Sequence, residues 1–558
     1  MKAVRFTFLF TVLCTSLLPA QTSRLPLVDQ PTVPASVAPG GPMFTLTVNG
    51  TGFASGALID WDGHPQPTIL VSSSQLQASI PAKLIKNAAT KLISVQNPSN
   101  HFSNGVFLQV IQPSALNGVP AVSSYSAGSS QERVAVADFN KDGKMDIAAA
   151  DAGLGNVSIL LGKGDGTFPA AVHYPAGASP LGIVVGDFNG DRNMDVAVTN
   201  SGSANTVSVL LGNGDGTLQT ATLFPTGVNP VSLATADLNA DGKLDLVVCN
   251  FDAGTVSVLL GNGDGTFQPE TEFTVGAGPS SVVVGDFNGD GKLDLAVSNQ
   301  NANTVSVLRG NGDGTFRNKV DVTVGTAPTW LAAADFNGDS VLDLATANSG
   351  GSSVSVLIGK PNGSFQSQVT YGTLSTPEAL APGDVNGDGK LDLAVVDATN
   401  ISMLLGNGDG TFARRADYAA KKYLGLAAGD FNGDGRLDFA AVGGTKVVDA
   451  LLQSTVSLSS TSASFGNQMV GTMSPPKTAT LKNLGTTALT ISNLSVVGSN
   501  AGDFSQTNDC GTSVAPKASC HINVVFSPTA TGARNATVQI KDDAIGGVQT
   551  ISVTGTGT

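Results

Sequence analysis

Asp286, Asp290 and Asp294 crowd into nine residues of the stretch DFNGDGKLDLAV, in a chain of 558 residues whose charged fraction is 13%. Carboxylates this close repel and raise one another's pKa, so the cluster costs free energy unless a cation lies among them. Oxygen side chains stand at positions 1, 3, 5 and 9 of the loop: Asp286, Asn288, Asp290 and Asp294. No His or Cys accompanies them. Such a hard-oxygen set suits Ca2+, which takes roughly six to eight oxygens at flexible geometry, whereas Mg2+ is stricter and Zn2+ favours nitrogen or sulfur.

The loop recurs seven times. Its side-chain donors are Asp138, Asn140, Asp142 and Asp146; Asp187, Asn189, Asp191 and Asp195; Asp237, Asn239, Asp241 and Asp245; the set at Asp286; Asp335, Asn337, Asp339 and Asp343; Asp384, Asn386, Asp388 and Asp392; and Asp430, Asn432, Asp434 and Asp438. Alternate residues of a tight loop converge in the first half of an EF-hand, where a glycine at position 6 permits the sharp turn. Here that glycine is Gly143, Gly242, Gly291, Gly389 and Gly435, but Arg192 and Ser340 replace it in two loops. If position 6 needs positive φ, each replacement costs roughly 1 kcal/mol or more, and those two sites should be weaker. The loops hold 21 of the 43 acidic residues, and seven Ca2+ would offset the net charge of −14. Simple Asp/Asn/Gly turns would explain one such loop, not three carboxylates at one spacing in all seven. The GDGTF-type turns at Asp165, Asp215, Asp264, Asp313, Asn362 and Asp409 carry no second carboxylate and read as tight hairpins.

Successive loops are 49, 50, 49, 49, 49 and 46 residues apart. A period near 50 with several short strands per unit predicts an all-β, seven-bladed propeller, one repeat per blade. In one unit an apolar strand enters the Asp loop, a second leaves it, TVSVLRG forms a third, and a fourth follows the GNGDGTF turn. The residue before each first Asp is Ala or Gly, as crowding at a propeller axis requires. The last unit lacks its fourth strand, while VPAVSSYSAG (119–128) is a surplus one ahead of the first loop. The ring should therefore close by giving this strand to the last blade, removing open sheet edges. Tyr125, Tyr174, Phe224, Phe273, Tyr371 and Tyr418 share one register of the fourth strand and read as packing between blades; Trp330 breaks the repeat.

Residues 1–20, with Lys2 and Arg5 before the apolar run 6–18 and small Ala20, read as a signal peptide. Cys14 within that run is a poor lipoprotein site. The mature chain offers no transmembrane segment and is expected to be exported: secreted, periplasmic or cell-surface. In an oxidising compartment Cys510 and Cys520 are the natural disulfide, and Cys249 reads as a buried thiol. The negative charge argues against nucleic acid or anionic lipid as a partner.

These residues resemble FG-GAP/VCBS repeats, the units of the seven-bladed propeller of integrin α subunits and of many bacterial secreted proteins, over residues 119–453. The resemblance implies calcium ligation through the side chains at positions 1, 3, 5 and 9 and through the carbonyl at position 7: Lys144, Asn193, Lys243, Lys292, Val341, Lys390 and Arg436. The flanks alternate strands with Gly/Pro/Asn turns, a sandwich pattern. Residues 31–112, with PGGPMFTLTVNGTGF, resemble an IPT/TIG immunoglobulin-like module; residues 455–558, with FSPTATGARNATVQI, resemble ASPM-SPD2-Hydin Ig-like domains often seen as spacers. The implied function is a calcium-binding scaffold for adhesion or for an extracellular protein or glycan ligand. The alternative is a calcium-containing carbohydrate enzyme such as a polysaccharide lyase. With His64, His101, His173 and His521 the only histidines and no catalytic set visible, no catalytic residue is assigned.

Overall fold

Six consecutive residues of the fourth repeat, Asp294–Asn299 (DLAVSN), are all buried. Such a run between two polar ends suits a strand covered on both faces. The computed structural model describes residues 24–86, 89–98, 100–111, 121–202, 204–453, 456–460, 462–483, 488–516, 518–542 and 548–558. In it Asp294–Asn299 pairs antiparallel with Pro279–Gly285 on one side and Thr304–Leu308 on the other, and Val320–Thr323 completes the sheet. Five further repeats give sheets of the same sequential order, opening with the strands Gln131–Ala137, Pro180–Gly186, Pro230–Ala236, Pro328–Ala334 and Pro377–Gly383.

The seventh sheet contains Gly425–Gly429, Asp438–Val442 and Val447–Leu452, and its fourth strand is Ala121–Ser126. That strand pairs antiparallel with Val447–Leu452, from Ala121 opposite Leu452 to Ser126 opposite Val447. The surplus N-terminal strand therefore closes the ring as expected, with residues 119 and 120 outside the described residues. First strands touch their neighbours in a closed cycle, Gln131–Ala137 meeting both Pro180–Gly186 and Gly425–Gly429. The repeats form a β-propeller.

Aromatic rings bind neighbouring sheets. Phe168, from the first GDGTF turn, packs edge-on against Tyr125 of the seventh sheet at 5.1 Å and Phe431 of the seventh Asp loop at 5.6 Å. Phe412 likewise meets Phe336 at 5.7 Å and Tyr371 at 5.4 Å, and Phe267 meets Phe188 and Phe224. The T-shaped geometry adds about 0.5–1.5 kcal/mol per pair to the area buried.

Each flank is two sheets around its own core. The N-terminal sandwich buries Leu46, Val48, Ile59, Trp61, Ile93 and Leu108 between a four-stranded sheet and a larger one. It begins earlier than the expected residue 31, because Leu27–Val28 pairs with Phe44–Thr51 and Val28 enters the core. The C-terminal pair of sheets buries Leu481, Ile522, Val524, Phe526, Val538 and Ile540 and contains the Cys510–Cys520 disulfide. Cys249 is a buried free thiol. The expected signal peptide and Cys14 lie outside the described residues.

Candidate metal centre

Each Asp loop joins the first strand of a sheet to its second, so the backbone reverses over a few residues and its N–H groups turn inward. In all seven loops the position-1 carboxylate accepts the N–H of position 6, from Gly143 to Asp138 at 2.8 Å through Gly435 to Asp430 at 3.0 Å. The position-5 carboxylate accepts the N–H of position 7, as from Lys292 to Asp290 at 3.0 Å. The position-3 amide oxygen accepts the N–H of position 5 in six loops. In the fourth, Asn288 instead donates to Asp294 at 2.8 Å.

Position 6 is left-handed throughout: Gly291 has φ 79°, and Arg192 and Ser340 both have φ 66°. A Cβ at Gly291 would meet nothing within 4 Å, so glycine serves conformation there, not space. Position 4 is also left-handed, which the sequence reading missed: Gly190, Gly289, Gly338, Gly387 and Gly433 share it with Lys141 at φ 60° and Ala240 at φ 63°. Glycine in five of seven loops was the available signal.

Position 9 opens the buried second strand, and its carboxylate ties the loop to the third strand. Asp146 accepts Phe139 N–H at 2.9 Å and Gly162 N–H at 2.7 Å; Asp195, Asp245 and Asp343 repeat the pattern. Burial, then the carboxylates at positions 1 and 5, pushes these groups up: Asp146 and Asp294 to about 6, Asp195, Asp245 and Asp343 to about 7, and Asp392 to about 8. Asp438 moves the same way for the same reasons. The far end of the second strand carries a second buried hub that the sequence reading passed over: Asn299 binds Thr304, Ser306 and Gly276 N–H, and Asp151 holds Ser129 and Ser130 N–H.

The donor set fits a hard cation. Asp434 Oδ2 is buried with no hydrogen-bond partner, and it lies among the carboxylates of Asp430 and Asp438 and the guanidinium of Arg436, which already offsets part of their charge. Among the described residues, however, the one His/Cys/Asp/Glu trio with all ligand atoms within 4.8 Å is Asp509, Cys510 and Cys520, whose cysteines are bridged. In each Asp loop at least one carboxylate must turn inward for three to share an ion. In the first and third loops the position-7 lysine reaches the position-5 carboxylate, Lys144 to Asp142 at 3.2 Å and Lys243 to Asp241 at 4.0 Å.

The N-terminal sandwich sits on these loops. Leu25 N–H donates to Asp237 at 2.9 Å, Arg24 Nη1 to the Gly291 carbonyl at 2.7 Å, Asp335 N–H to the Gln30 carbonyl at 2.9 Å, and Asn49 to Ser340 Oγ at 3.2 Å. Ser36 hydrogen-bonds Asp384, Arg192 lies over the Phe102 ring at 5.1 Å, and a Cβ at Gly435 would collide with Ala89. Asp29, half-buried in this contact and close to Asp286 and Asp335, has its carboxyl pushed up to about 7 by loss of water and by those two carboxylates.

Elsewhere, Ser158 contacts His173 Nδ1 at 2.9 Å, but Ser158 is fully buried and cannot attack a substrate. Trp330 is half-buried under the Arg133 guanidinium, 5.0 Å from its ring centre, and Arg133 also donates to the Leu424 carbonyl.

The FG-GAP-like repeat family matches residues 138–198, 193–248, 237–297, 286–346, 335–395 and 384–441. No curated protein matches the chain. Among solved structures, an Agrocybe aegerita lectin that recognises non-reducing terminal N-acetylglucosamine shares 17% identity over 64% of this chain and 95% of its own, with a TM-score of 0.39. An auxiliary nutrient binding protein from Bacteroides ovatus shares 11% over 71% and 98%, TM-score 0.35, and the periplasmic gluconolactonase of Pseudomonas aeruginosa 14% over 62% and 86%, TM-score 0.33.

Proposed function

The chain belongs to the FG-GAP-like repeat family, and from that premise we propose that it is an exported, seven-bladed calcium-binding propeller that binds a protein or glycan ligand on the ring face opposite its Asp loops. In this reading the flanks are the IPT/TIG-like and ASPM-SPD2-Hydin-like Ig modules, and each loop holds Ca2+ through positions 1, 3, 5 and 9 and the position-7 carbonyl. The ion would supply positive charge among the three neighbouring carboxylates of each loop once they turn toward it. One fact favours export: the Cys510–Cys520 disulfide suits an oxidising compartment.

The observation that carries the ligand face is the occupation of the other one. The chain's own sandwich covers the Asp loops. The turns at the opposite ends of the strands expose Leu154 at 56%, Val228 at 51% and Leu374 at 55%. These side chains stand singly on turns of different blades, so they serve as probes of this face and the uncovered turns themselves carry the reading. Glycan-array and cell-binding screens in calcium test the reading. Serine at all three positions should abolish any binding found while leaving the melting temperature unchanged. Binding that survives those changes, or disappears only with unfolding, rejects this face.

A further inference from the structure

Val106, Leu108 and Val110 enter the core of the N-terminal sandwich, so Phe107 and Gln109 alternate onto the outer surface of their sheet. That surface faces the ring. Gln109 is 2% exposed, yet among the described residues neither its Oε1 nor its Nε2 has a hydrogen-bond partner. It lines a cavity of about 210 Å³ between sandwich and ring, with Gln30, Pro31, Phe107, Pro382 and Leu437 among the other walls. Buried amides in native proteins are almost always paired, because an unmade bond forfeits hydration without return. Something polar belongs against Gln109.

We propose that this cavity is a binding site for a neutral hexopyranose, held between the sandwich and the propeller. Among the described residues the wall carries the Asp384 carboxylate and no Lys or Arg, so an anionic ligand would be repelled with nothing to pair with, and the Asp384 oxygens already accept N–H groups from Gly387, Asp388 and Gly389. A primary amide offers two donors and one acceptor, and sugar hydroxyls, which both donate and accept, answer both. The C–H faces of a pyranose match the Pro31, Phe107 and Leu437 walls. The cavity is larger than the roughly 150 Å³ that admits benzene and is partly open to solvent, so a hexopyranose, with twice benzene's heavy atoms, seats its ring there and leaves outer hydroxyls in water. The site lies apart from the ligand face proposed above and does not depend on it.

The test is saturation-transfer NMR and thermal shift on the full chain in calcium, with D-glucose, D-galactose and D-mannose as probes and D-glucuronate as the charged comparator. At least one hexose should bind saturably and raise the melting temperature; glucuronate should not. Gln109→Leu should weaken that hexose by about tenfold or more, the order expected when a hydrogen-bonding partner is removed. Ala428→Met, which adds bulk to another wall of the cavity and leaves the Gln109 amide in the chain, should block it also, and it keeps the test alive if Gln109→Leu fails to fold. Serine at Leu154, Val228 and Leu374 should leave hexose binding intact. The proposal is overturned if no hexose binds, if binding survives both variants, or if a crystal structure grown with the hexose shows only water or residues 112–120 in the cavity.

Discussion

A left-handed residue other than glycine costs roughly 1–2 kcal/mol, against roughly 0.5–1 kcal/mol of extra chain entropy that glycine loses on folding. Lys141, Arg192, Ala240 and Ser340 therefore each strain their loop, which widens the sequence-level expectation of two weak sites to four. Replacing Ser340 or Ala240 by glycine should stabilise the protein by about 0.5–1 kcal/mol, and Gly291→Ala should destabilise it by about 1 kcal/mol, read from urea midpoints in calcium. If Gly291→Ala leaves the midpoint unmoved, the φ argument fails. The position-9 carboxylates set a pH dependence with a definite sign. Folded and without metal, they hold protons up to about pH 6–8, while unfolded aspartate releases its proton near about pH 4. The folded state thus binds more protons across that window, and metal-free stability must fall as pH rises from about 4 to about 8. In chelator the melting temperature should drop between about pH 5 and pH 8, and calcium, which needs the ionised carboxylates, should remove the drop. A chelated protein that melts higher at the alkaline end contradicts it.

The closing strand is held by more than its ladder. At the position where six repeats carry a buried serine on the third strand, the seventh carries Asp449, 1% exposed. Its carboxylate accepts Ser124 Oγ of the closing strand and Tyr423 OH at 2.9 Å, and pairs with Lys421 at 3.2 Å. Asp449→Ala leaves the buried Tyr423 hydroxyl without this acceptor, while exposed Ser124 and Lys421 turn to water, and should cost about 1–3 kcal/mol; Ser124→Ala should cost about 0.5–1 kcal/mol. Equal urea midpoints for Asp449→Ala and wild type would mean that backbone pairing alone latches the ring. The strand itself was legible in sequence, because a fourth-strand pattern preceded the first loop while the last repeat lacked one. The loops were legible for the same reason, repetition of chemistry at one spacing. Position 4 was not, although it carries glycine in five of seven loops just as position 6 does, because the EF-hand pattern asks for a glycine at position 6 alone. Nor were Asn299 and its counterparts, which read as ordinary strand-end turn residues until burial shows them binding strand and loop together.

Docking of the sandwich left no trace in the sequence. Its contacts join residues as distant as Arg24 and Gly291, 267 positions apart, and no periodicity announces them. Yet they fall on the second to the seventh loops, so whatever orders the loops must also order the interface. Extracellular calcium modules bind at roughly 0.1–1 mM, so millimolar calcium contributes about 0.4–1.4 kcal/mol per occupied site, or about 3–10 kcal/mol over seven independent sites. That rivals a whole domain's stability of about 5–15 kcal/mol. Without the ion, the loop carboxylates repel one another and Asp29, which the sandwich holds half-buried beside Asp286 and Asp335. Removing calcium should therefore lower the melting temperature and loosen the sandwich before the ring unfolds. Hydrogen exchange reads this directly: in chelator the amides of Leu25 and Asp335, which bond across the interface, should lose protection while those of Asp294–Asn299, inside a sheet, keep theirs. Calcium should restore the protection, and magnesium should restore much less, because it tolerates a ligand set of this size poorly. Equal protection of both amides with and without calcium would separate the interface from the ions and leave the loops as turns.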